Sequence, residues 1–204
     1  NGPSPVNAPP LLVQSMFEDI AKRFPDNNAI GFNADGRWNN WTYAEYLENI
    51  RNAAAGFLAL GLERQCAVGI MGANSAEWAL SSVGSIFAGG LSCGIYATNS
   101  PESVRHIVCH APVHVLVLQD PALLERLLKG SNDISAVFPT VKKIVLMEGK
   151  SHLKDVITCA DLMTLGRAQS PNFIAESLAD RPPVVNEAAM LIYTSGTTGP
   201  PKGK

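Results

Sequence analysis

The chain has 204 residues and sets 16 Lys+Arg against 18 Asp+Glu, a formal net charge of −2 that gives no bulk electrostatic case for nucleic acid or an anionic membrane surface. With 46% hydrophobic and 17% charged residues it is too apolar for a disordered tail or a collagen-like rod, and it is long enough for a sizeable core. Its four cysteines, Cys66, Cys93, Cys109 and Cys159, contain no C-x-x-C pair, which excludes a dense disulfide framework or zinc ribbon and points to a reducing, intracellular setting.

In chain order, Leu11 to Phe24 has helical periodicity, and Pro25 ends it. Ala29 to Phe32 and Trp38 to Tyr43 read as strands around the turn Asn33-Ala34-Asp35-Gly36. Thr42 and Glu45 form a T-x-x-E capping box, so a helix should start there, with Leu47, Ile50, Ala54, Phe57 and Leu58 inward and Gly61 as its left-handed stop. Strands and helices then alternate. Ala67 to Met71 is a buried strand, Ala76 to Ala88 a helix capped by Ser75, and Leu91 to Tyr96 a strand. Ser100 and Pro101 open a helix that Pro112 ends, and Val113 to Leu118 is the next strand. Pro121 to Lys129 reads as a helix with the stripe Leu123, Leu124, Leu127 and Leu128 buried, Lys143 to Met147 as a strand, and His152 to Thr164 as a helix. Residues 166–186 read as a loop before a last strand, Ala188 to Tyr193. This βαβ alternation predicts an α/β fold with a mostly parallel sheet flanked by helices on both faces.

No secretory signal is visible at the start. The uncharged span Trp78 to Pro101 has the length of a membrane helix, but its serines and the Gly89-Gly90 pair divide it into a core helix and a core strand. The chain starts Asn1-Gly2 without Met and stops at Lys204, just past its most distinctive segment, so we expect it to be a piece of a longer protein.

That segment follows the last strand: Thr194, Ser195, Gly196, Thr197, Thr198, Gly199, Pro200, Pro201, Lys202 and Gly203. Four hydroxyls, the backbone N–H groups around Gly196 and Gly199, and the Lys202 charge can wrap a polyphosphate at the carboxyl end of a strand, where α/β sheets collect ligands. It is not a Walker A loop, because Lys202 lies between Pro201 and Gly203, with no following Ser or Thr and no helix start. A ligand-free Ser/Thr/Gly turn is the structural alternative.

The stretch Tyr193 to Gly203 resembles the phosphate-loop signature of the adenylate-forming enzymes, which comprise acyl-CoA synthetases, adenylation domains of peptide synthetases, and luciferases. Trp41 to Tyr46 resembles the family's helix start, and Asn74 to Trp78 with Ala88-Gly89-Gly90 a further stretch of it. Gly94 to Glu102 is most similar to the bubblegum-type long-chain fatty acid–CoA ligases, and the likeness runs from about Phe17 to Gly203. Arg64-Gln65-Cys66 stands where many relatives have Gly-Asp, and Lys204 where a small apolar residue is usual.

The resemblance implies that 1–204 is an incomplete N-terminal domain of an AMP-forming ligase, with its phosphate loop at 193–203. It implies ATP, Mg²⁺, a long-chain fatty acid and coenzyme A, and activation of the acid through an acyl-adenylate. Thr194 to Lys202, Pro200 and Pro201 included, would hold the β- and γ-phosphates. The family's catalytic residues lie beyond Lys204, so this chain alone is expected to be inactive. A cytoplasmic protein with peripheral contact to endoplasmic reticulum or other internal membranes is implied. The alternatives are an adenylating enzyme for an aryl or amino acid, and a catalytically silent nucleotide-binding module.

Other constellations weigh less. Glu102, His106 and His110 share one helix face, with Cys109 beside them, but Pro112 separates His114 from it; a solvated polar face explains them better than a metal site. Ser195 has no nucleophile elbow around it. Trp38, Trp41 and Trp78 read as core or edge packing.

Overall fold

A computed structural model describes residues 10–34, 36–194 and 202–203. Helix α1 spans Val13–Arg23, and strands β1 (Asn28–Ala34) and β2 (Arg37–Thr42) form an antiparallel hairpin. Helix α2, Tyr43–Ala59, starts at the expected capping box. The Thr42 hydroxyl accepts from the Glu45 N–H at 3.3 Å, and the Glu45 carboxylate accepts from the Thr42 N–H at 2.8 Å. Each bond satisfies a donor that a helix start leaves unpaired. Thr42→Ala should therefore lower unfolding stability by about 1 kcal/mol, read as a fall in the denaturant midpoint at unchanged slope.

The main sheet has the order β7-β6-β5-β3-β4-β8-β9. Its strands are β3 (Ala67–Met71), β4 (Leu91–Gly94), β5 (Val113–Leu118), β6 (Lys143–Leu146), β7 (Val156–Thr158), β8 (Met190–Thr194) and β9 (Lys202–Gly203). Every pairing is parallel except β8 with β9. Alternate residues of the central strands enter two separate cores, so both faces are dry. On β5, Val113, Leu116 and Leu118 join one cluster while Val115 and Val117 join the other. The first cluster is closed by α4 (Pro101–His110), α5 (Pro121–Leu128) and the short α6 (Ile134–Val137). The second is closed by α2, α3 (Ala76–Phe87) and α7 (Cys159–Arg167). The expected fold class is the one observed. The uncharged span Trp78 to Pro101 is α3 followed by β4, and no described helix is long and apolar enough to cross a membrane.

Three local expectations need correction. The segment 152–164 is not one helix: Val156-Ile157-Thr158 pairs in parallel with β6, and the helix begins at Cys159 behind a second capping box made by Thr158 and Asp161. The β-branched residues before the box fit a pleated edge. Residues 166–186 hold the end of α7 and a short helix, α8 (Phe173–Ser177), rather than a continuous loop. Trp38 does not pack in the core or along an edge, being 76% exposed, whereas Trp41 lies between Phe32 and Tyr46 at centroid distances of 4.7 and 6.2 Å.

Candidate functional site

Adjacent strands β3 and β4 send their connections to opposite faces, through α3 and α4, and α/β sheets take ligands at the carboxyl ends of strands where the connections diverge in this way. Strand β8 lies parallel to β4, with Ser92 opposite Met190 and Gly94 opposite Ile192, so Thr194 emerges at that same end. The chain returns as β9, antiparallel, with Tyr193 opposite Gly203 and Thr194 opposite Lys202. The two residues that flank segment 195–201 are thus held together by a strand pair. Ser195, Gly196, Thr197, Thr198, Gly199, Pro200 and Pro201 lie outside the described residues. The two anchors that are described, Thr194 and Lys202, face each other and are exposed.

Tyr193 fixes the base of the loop. It is 3% exposed, and its hydroxyl lies 2.6 Å from Nδ1 of His110, the last residue of α4. Burial, with the Cys93 thiol adding to it, holds the phenol above its usual range, so it stays neutral. A Cβ on Gly203 would stand 2.9 Å from Cζ of Tyr193 and 3.2 Å from its hydroxyl, so only glycine lets β9 close over the ring. His106 and His110 stack at 5.7 Å, as one helix face requires. On that face Glu102 pairs with Lys129 and the His110 ring with the Tyr193 hydroxyl, while His114 stands apart on β5.

Arg64 holds the lead-in to β8. Its guanidinium donates to the carbonyls of Arg181 at 3.0 Å and Gly89 at 2.6 Å, and pairs with Glu187. Burial works to raise the Glu187 carboxyl, but the Arg64 bond, the Val184 N–H and nearby charges outweigh it and hold it low. Arg64 thus clasps the proline-containing segment to the end of α3. No local pattern signals a contact that spans more than a hundred residues.

Residues 17–203 match the family described as AMP-binding enzyme, and the chain belongs to that family. Among curated proteins it is similar to long-chain-fatty-acid–CoA ligase ACSBG2 of Xenopus laevis, 35% identical over 199 residues that cover 96% of this chain and 26% of that protein. Long-chain-fatty-acid–CoA ligase ACSBG1 of Rattus norvegicus is 37% identical over 196 residues, covering 95% of this chain and 26% of that protein. The chain therefore spans about a quarter of the length of these relatives. In fold it is similar to the anthranilate CoA ligase AuaEII in complex with anthranoyl-AMP, with a TM-score of 0.72 at 20% identity over 98% of this chain and 36% of that one. It is likewise similar to the A-PCP didomain of carboxylic acid reductase from Segniliparus rugosus in complex with AMP, with a TM-score of 0.73 at 16% identity over 95% and 31%. These two likenesses establish the fold alone.

Proposed function

We propose that the whole protein activates a long-chain fatty acid with ATP and passes the acyl group to coenzyme A, and that residues 1–204 are part of its large N-terminal domain. The observation that supports this most is the hydroxyl- and glycine-rich segment following Tyr193, in a chain 35–37% identical to proteins named long-chain-fatty-acid–CoA ligases.

The donor set fits a polyphosphate. Thr194 and Lys202 are exposed at the mouth of the loop, and the residues between them are small or hydroxyl-bearing apart from the two prolines. In the proposed reaction a carboxylate oxygen attacks the α-phosphorus, an acyl–phosphate bond forms, and the bond to pyrophosphate breaks. The thiol of coenzyme A then attacks the acyl carbon and releases AMP. Here this chain contributes electrostatics: Lys202 and the loop N–H and O–H donors would take up the charge that accumulates on the departing pyrophosphate. Magnesium would arrive with ATP, since segment 193–203 offers hydroxyls and no carboxylate. A lipid substrate implies peripheral membrane contact on the cytoplasmic side, the endoplasmic reticulum included.

The test is pyrophosphate release by the whole protein with palmitate, an aryl acid or amino acids, each with ATP, Mg²⁺ and coenzyme A. Palmitate should be preferred by at least about tenfold. Release with only aryl or amino acids would transfer the protein to another carboxylate, and no release with any acid would make it a silent nucleotide-binding module.

A further inference from the structure

Glu63 and Cys66 begin and end a tight turn between α2 and β3, closed by the Cys66 N–H donating to the Glu63 carbonyl at 3.0 Å. Gln65, within the turn, has φ +61°, a left-handed conformation that brings the turn's two ends together. Across from it, the pairing of β3 with β5 slips: Ala67 is opposite Val113 but Val68 is opposite Val115, so His114 is the extra residue of a β-bulge. A bulge re-aims a side chain, and here it brings the imidazole to the turn. A carboxylate oxygen of Glu63, Sγ of Cys66 and a ring nitrogen of His114 lie within 4.8 Å of one another. Nδ1 of His114 is buried and has no hydrogen-bond partner among the described residues, an unusual state for a buried polar atom.

We propose that Glu63, Cys66 and His114 bind a divalent metal ion of the zinc type, at the end of the sheet opposite the phosphate loop. Cys66 precedes β3 and His114 lies near the start of β5, at the amino ends of parallel strands, whereas Thr194 closes β8 at its carboxyl end. Sulfur, imidazole and carboxylate together suit zinc and exclude the hard ions magnesium and calcium. Tetrahedral bonds of about 2.0–2.3 Å place ligand atoms about 3.3–3.8 Å apart, so the cluster needs to close by about 1 Å. The exposed Glu63 side chain can supply that movement. Binding moves the Cys66 thiol proton to solvent and involves no redox change.

Lys142 sets the opposing charge. Its ammonium donates to Glu63 at 2.6 Å and to the Gly61 carbonyl at 2.7 Å. The His114 imidazole is kept neutral, the form that ligates, first by burial and then by Lys142. Burial and the Glu63 charge push the Cys66 thiol up, with Lys142 opposing them, a bias that a bound dication would reverse.

Titration of the protein with Zn²⁺ and Co²⁺ tests the site. The Co²⁺ form should show a thiolate-to-cobalt charge-transfer band that is lost in Cys66→Ser and kept in Cys93→Ser. Zinc affinity should fall at least about 100-fold in Cys66→Ser and in His114→Ala, and rise at least about threefold in Lys142→Met. In the unsubstituted protein, zinc should slow alkylation of Cys66 and leave the exposed Cys109 unchanged, a readout that needs no variant to fold. No saturable zinc binding, a cobalt band that survives Cys66→Ser, or unaltered Cys66 alkylation overturns the assignment.

Discussion

Lys202→Ala in the whole protein should slow fatty-acid-dependent exchange of pyrophosphate into ATP by about 10²–10³-fold, the usual loss when one preorganised donor to a developing charge is removed. The side chain is exposed on β9, opposite Thr194, so it contributes charge at the mouth of the loop and little packing. The same substitution should leave the unfolding midpoint within about 0.5 kcal/mol of the parent, as for ordinary surface changes. A purely structural role predicts the reverse pattern. Exchange and ATP affinity that do not change would remove Lys202 from the phosphate site.

Gly166→Ala carries the largest expected effect on stability. Helices α2 and α7 cross at unusually short range: a Cβ on Gly166 would fall 1.8 Å from the Asn52 carbonyl oxygen, and one on Gly56 would fall 2.5 Å from the Leu162 carbonyl oxygen. These obstacles are backbone, so no side-chain rotation relieves them. Separating the helices would also loosen Ile50, Phe57 and Leu162, all essentially buried in one core. The expected loss is about 3 kcal/mol, at the upper end for overpacking. In an open helix the same change would stabilise by roughly 0.5–1 kcal/mol, so the sign of the midpoint shift in denaturant unfolding decides whether the crossing is this close.

The two halves of the fold were not equally legible. Helices with strong caps could be placed from sequence: Thr42–Glu45, Ser75 and Ser100 each supply an acceptor to a backbone N–H three residues on. The central strands stood out because a sheet buried on both faces needs continuous apolar runs such as Val113 to Leu118. The edge was harder. Strand β7 has three residues, too short to show a period, and its apolar Val156 and Ile157 merge with the helix after them. For segment 194–203, composition alone carries the proposal of polyphosphate binding. What composition could not carry is placement, such as His110 against Tyr193, 83 residues apart, or the one-residue slip that turns His114 away from its strand partners.

In the proposed reaction the segment after Tyr193 holds the pyrophosphate end of ATP. A structure of the whole protein with ATP and Mg²⁺ tests it most directly. Lys202 Nζ and the loop hydroxyls should lie about 2.7–3.2 Å from β- and γ-phosphate oxygens, with Tyr193 still bonded to His110 beneath them. A triphosphate seated elsewhere, with Thr194 and Lys202 facing solvent, would contradict it.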